Sequence, residues 1–139
     1  MSKSATAMPK EFARLLLAYE EVSGKSANGK DSVAFRVCDN LRGPLGKLMG
    51  MEGFRSLLLR AQVLSCAEVP WLCELRVKVD GSLDGLEELE AGLDARAISE
   101  GEVVLVGQLL GLLVIFIGPA LTLRLLHDIW PRWTIEVSE

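Results

Sequence analysis

A chain of 139 residues, half of them hydrophobic and 24% charged, can bury about two-thirds of its unfolded surface in one core, which excludes a disordered chain. Its net charge of −4 is modest but uneven, with +4 over residues 1–79, −7 over 80–102 and −1 over 103–139. No basic face of the size that neutralises several phosphates emerges, so nucleic-acid binding is not expected, and the acidic stretch reads as a solvated helix face.

Residues 1–8 read as a flexible tail preceding a single helical domain over 9–139. No apolar leader precedes the first helix, and the three cysteines (Cys38, Cys66 and Cys73) sit among apolar neighbours. Reduced, buried thiols in a cytoplasmic protein are the corresponding expectation. A first helix is predicted from about Pro9 to Val22, because Phe12, Leu15, Leu16, Tyr19 and Val22 recur at helical spacing while Glu20 and Glu21 fall on the other side. Ser23–Lys30 is a loop by composition.

Asp31 or Ser32 can cap a second helix, lined by Val33, Val37, Cys38 and Leu41, that Gly43-Pro44 is expected to end. A third helix carries Met51, Phe54, Leu57, Leu58, Val63 and Leu64, turns Arg55, Arg60 and Gln62 outward, and closes at Pro70. The period then shortens to two. Cys73, Leu75, Val77 and Val79 alternate with charged residues, as do Trp133, Ile135 and Val137 with polar ones, so these segments could pair as a minor two-stranded β element.

Asp80–Gly85 (DGSLDG) is a turn by composition. Asp80, Ser82, Asp84 and Gly85 fit the first half of a calcium loop, but its twelfth position falls on Ala91, with Glu90 one residue out of phase. Asp84 with Glu87 has capping-box spacing and opens an acidic helix to about Leu93; Ser99 with Glu102 repeats that spacing before the next apolar run.

From Val103 to Leu123 no charged residue occurs, and 14 of the 21 residues are Val, Leu, Ile or Phe. Such a helix is long enough for a bilayer, and its apolar residues favour insertion by roughly 4–8 kcal/mol before polar costs. Gly107 and Gly111 form a GxxxG, and Trp130 and Trp133 lie just beyond the run. Against a span stand Gln108, the Gly118-Pro119 break and flanking charges, with Arg124 and Arg132 after the run and Glu100 and Glu102 before it. The earlier amphipathic helices also need an apolar partner. The balance favours a mainly α fold: a compact bundle of about five helices around a central apolar C-terminal helix.

No catalytic constellation is legible. His127 is the only histidine, near a helix end where the dipole favours it, and Cys66 and Cys73 lack partners at finger-like spacing. No Walker or dinucleotide glycine pattern occurs. No catalytic, metal or cofactor residues are therefore expected. The reading is a soluble, cytoplasmic, non-enzymatic protein–protein interaction module that self-associates or docks a partner protein, with Gly107, Gly111, Trp130 and Trp133 as interface candidates. The alternatives are a small protein anchored by a single spanning helix at 103–123 and a bundle that binds a small apolar ligand.

Overall fold

The computed structural model describes residues 11–20, 33–86, 89 and 92–131. They form five helices packed together with a small antiparallel ribbon, a mainly α bundle. The helices are α1 (residues 11–20), α2 (Val33–Met49), α3 (Met51–Glu68), α4 (Ala95–Ile117) and α5 (Pro119–Ile129). A short 3₁₀ helix, Pro70–Glu74, follows α3, and strands β1 (Arg76–Val77) and β2 (Leu83–Asp84) pair with Arg76 opposite Asp84.

The packing centre is α4, which lies chiefly on α3 and also touches α2 and α5. Its Leu105, Val106, Leu109, Leu110 and Leu113 are all but inaccessible to solvent, and they meet one core with Leu41 and Leu45 of α2 and Phe54, Leu58 and Ala61 of α3. The spacing of Phe54, Leu58, Ala61 and Ser65 follows the helical period, which is why α3 presents a continuous inner face. Ser65 sits at the end of that face without cost, because its hydroxyl donates to the Ala61 carbonyl at 2.6 Å.

Four local expectations are corrected. Gly43-Pro44 does not end α2; the helix continues to Met49. Pro44 removes one backbone donor, while Leu41 and Leu45 on either side of it are fully buried, and that burial holds the helix through the break. The apolar run is not one helix but two, because Gly118 ends α4 and starts α5. Helix α4 itself starts one turn before Ser99: Asp94 is its cap, with Oδ1 accepting from the Ala97 amide at 2.8 Å. Glu102 instead reaches α2, accepting from the Ala34 amide at 3.4 Å.

The fourth correction concerns the ribbon. Only Arg76–Val77 pairs as a strand in the alternating segment, since Pro70–Glu74 coils, and its partner is Leu83–Asp84 across the DGS turn. The Asp80 carboxylate accepts from both the amide and the hydroxyl of Ser82, which closes that turn. Leu75 and Val77 are buried as alternation predicts, whereas Val79 and Cys73 are exposed. The proposed partner segment at 133–137 and the Asp31/Ser32 cap lie outside the described residues, as does most of the acidic helix predicted after Asp84.

Two corners share one construction. Gly50 joins α2 to α3 and Gly118 joins α4 to α5, with backbone angles of φ 85, ψ 157 and φ 89, ψ 157. Each glycine donates its amide to the helix behind (Gly46 and Val114 carbonyls) and offers its carbonyl to the helix ahead (Phe54 and Thr122 amides). These angles are open essentially to glycine alone, so the chain can turn between two helices with no loop residues.

Candidate interaction surface

Helix α4 is long and apolar enough to cross a bilayer, yet only 44% of its most apolar stretch is buried. The covered and uncovered parts are distinct. Most of the helix's side chains between Val104 and Leu113 are buried, whereas beyond Leu113 none of them is. Ile115 is left 82% exposed and Phe116 64% exposed. The chain then turns at Gly118, Pro119 occupies the first helical position of α5, and Leu121 is again 44% exposed. Thr122 seals the inner side of the turn, donating its hydroxyl to the Gly118 carbonyl at 2.7 Å.

The corner thus presents Ile115, Phe116, Pro119, Ala120 and Leu121 to solvent with no charged residue among them. Charge returns on the exposed flank of α5 with Arg124, His127 and Asp128. Three large aliphatic or aromatic side chains are thus exposed around one turn of the chain, and exposed apolar residues gathered together mark contact surfaces where single ones do not.

The four interface candidates from the sequence are placed differently. Gly107 is buried and Gly111 half-buried within α4. Trp130, at the end of α5, is 5% exposed and donates its indole N–H to Glu20 Oε1 at 2.9 Å, so within this chain it anchors α5 to α1. Trp133 lies outside the described residues. The signal that would have found the corner was present: Ile115-Phe116-Ile117 runs straight into a Gly-Pro, leaving apolar residues at a helix end where coverage is hardest.

Sequence reasoning also missed polar contacts made by three residues, Glu20, Gln62 and Trp71, between elements of the bundle. Glu20, expected on an outer face, is buried and accepts from Arg36 Nε at 3.3 Å as well as from Trp130. Gln62, expected to face solvent, donates to the carbonyls of Leu72 and Leu75 at 2.9 and 2.6 Å. Trp71 packs against the start of α4, where its indole donates to the Ala97 carbonyl at 3.2 Å and its ring fills the space a Cβ on Gly101 would need. Gly101 is therefore a packing glycine.

A cleft of about 440 Å³ opens between α1, the end of α3 and the first turns of α4. Its charged side chains, Arg14, Glu68, Arg96 and Glu100, are all exposed, over a floor that includes the buried Val69 and Val104. Among the described residues no group of three or more His, Cys, Asp or Glu side chains converges as a metal site would require.

The cysteines divide two ways. Cys38 is buried in α2, and loss of hydration, with a smaller contribution from Asp39, pushes its thiol pKa from 9.0 up to about 12. Cys66 and Cys73 are joined in a disulfide with their Cα atoms 5.0 Å apart, which corrects the expectation of three buried, reduced thiols. The spacing of seven carried no familiar motif, and only the fold of α3 onto the 3₁₀ helix brings the two together.

No protein-family model, no curated protein and no solved structure matches this chain.

Proposed function

We propose that this chain is a non-catalytic interaction module whose docking surface is the apolar corner between α4 and α5, with a second copy of the chain as the foremost partner. The observation that carries the reading is the exposure of Ile115, Phe116 and Leu121 around Gly118-Pro119. Burying such a patch against its own symmetry mate removes apolar area from water at about 25 cal/mol per Å². The corner is also stiff, since Gly118 and Thr122 leave no loop to order on binding.

Light scattering coupled to size-exclusion chromatography, without detergent, tests this. The wild type should run as a concentration-dependent oligomer. Ile115→Ser with Phe116→Ser should shift it to monomer while circular dichroism and melting temperature stay close to wild type. A wild type that stays monomeric at high micromolar concentration removes the self-association reading.

A second reading keeps the same corner and changes the partner to a lipid surface. It is supported by the length and apolarity of α4. A full span is opposed by packing, because Leu105, Leu109 and Leu113 would have to leave α2 and α3 to face lipid. Vesicle flotation of the wild type against the serine variant separates the two partners.

A further inference from the structure

The Cys66–Cys73 disulfide closes a short loop at a mechanically specific place. Residue 66 lies in the last turn of α3 and residue 73 in the 3₁₀ helix, so the bond ties the end of one helix to the segment that rests on α4. Between them, Val69 and Leu72 point into the core, and Trp71 lies on Gly101. Glu68 and Val69 also form one wall of the cleft whose other wall is Arg96, Ser99 and Glu100. The two Gln62 hydrogen bonds, the Trp71–Ala97 bond and the Val69 amide on the Ser65 carbonyl also hold the segment.

Accessibility distinguishes this bond from a sealed structural cross-link. Thiol–disulfide exchange requires a thiolate to reach one sulfur with the other as leaving group. Cys73 is exposed and Cys66 half-buried, so the approach to Cys73 is open. The third cysteine cannot interfere, because Cys38 is buried within α2. Exposed disulfides are the labile, regulatory kind, in contrast to sealed structural cross-links.

We propose that Cys66 and Cys73 are a reversible redox modification site, opened by dithiols and closed by small-molecule disulfides, that sets how firmly the Trp71 segment is held on the first turns of α4. In the opening step a thiolate of the dithiol attacks Cys73 Sγ, the Cys66–Cys73 bond breaks, and Cys66 Sγ leaves with the electron pair and takes up a proton. The second thiol of the reductant then displaces Cys73 from the mixed disulfide. The dithiol ends as its own cyclic disulfide, having given two electrons and two protons to the pair. Closing by glutathione disulfide runs the same exchanges in reverse and releases two glutathione thiols.

The inference stands apart from the α4–α5 corner and is tested on the full chain. After treatment with glutathione disulfide, maleimide labelling in denaturant followed by intact mass should count one thiol; after dithiothreitol it should count three. Hydrogen exchange of residues 70–75 and 95–101 should be about tenfold faster in the reduced protein, reflecting easier local opening. Cys66→Ser with Cys73→Ser should copy the reduced form and no longer respond to dithiothreitol, and chemical reduction of the wild type gives the same comparison without a substitution. Three labelled thiols after oxidation, a bond that dithiothreitol leaves intact in the native protein, or equal exchange rates in the two forms would each overturn the proposal.

Discussion

The indole N–H of Trp130 donates to Oε1 of Glu20 at 2.9 Å, joining the end of α5 to the end of α1 across 110 positions of sequence. The other carboxylate oxygen accepts from Arg36 Nε, and an Arg36 Nη2 donor reaches the Glu20 main-chain carbonyl, each at 3.3 Å. Three helices thus meet on one buried acid, at a place where the hydrophobic pattern alone would have put solvent. A buried carboxylate is tolerated only while its oxygens are satisfied, so this contact is more sensitive to loss of a partner than its single hydrogen bond suggests.

Trp130→Phe keeps an aromatic ring in the core but deprives Glu20 of a donor. It should lower unfolding free energy by about 1–3 kcal/mol in urea titrations. An unchanged midpoint would mean that water replaces the indole and that the α5–α1 junction is open.

Gly101→Ala places a methyl group where the Trp71 ring lies. Overpacking of this kind costs about 1–3 kcal/mol. Trp71→Leu alone should also destabilise, by leaving a cavity and an unpaired contact at Ala97. In the double variant the two losses should add to less than their sum, since the smaller side chain makes room for the methyl. A thermodynamic cycle from denaturant curves gives the coupling, and strict additivity would separate the two residues.

Gly118→Ala isolates a backbone effect. Space around the missing Cβ is open, so no clash accompanies the change; φ of 89 with ψ of 157 is the whole obstacle. The expected cost is about 1–3 kcal/mol, and Gly50→Ala should behave alike because its angles and surroundings match. A neutral melting temperature for either would show that the corner can relax without glycine.

Cys38 makes stability pH-dependent on the alkaline side. Its thiol pKa is raised by burial from 9.0 to about 12, so the unfolded chain releases this proton at lower pH than the folded one. The stability tied to the neutral thiol is complete below pH 9 and is lost as pH rises toward 12. Cys38→Ala should flatten that alkaline decline relative to wild type in thermal melts between pH 8 and 11. The same burial predicts that Cys38 resists alkylation at pH 8 until denaturant is added.

Turn acids act on the opposite side. Hydrogen bonds from Ser82 to Asp80 and from Arg76 to Asp84 hold both carboxyls below their ordinary range. Whatever they contribute to the ribbon is present at neutral pH and fades as acid protonates them.

Much of the architecture was legible from periodicity. The burial of Val37, Cys38 and Leu41 in α2 and the inward pair Phe54 and Leu58 in α3 follow from apolar residues recurring at helical spacing, and the burial of the first half of the Val103–Leu123 run follows from its lack of charge. The DGS turn followed from residue chemistry that favours an Asx-type bond. What went unread were contacts between residues far apart in sequence. Glu20 looks like a solvated acid until Arg36 and Trp130 are brought to it, and Gln62 looks like a surface amide until the 3₁₀ helix folds beneath it. The pairing of Cys66 with Cys73 has the same origin.

By itself the sequence determined the helical class, the apolar spine and an interruption of it at Gly118-Pro119, because each depends on patterns within a few turns of chain. The tertiary structure alone decided which residues of that spine are covered, and hence that Ile115, Phe116 and Leu121 stay exposed while Trp130 does not. The physical reason is that propensity and periodicity act over one helix, whereas coverage depends on where neighbouring helices end, a quantity that no local pattern encodes.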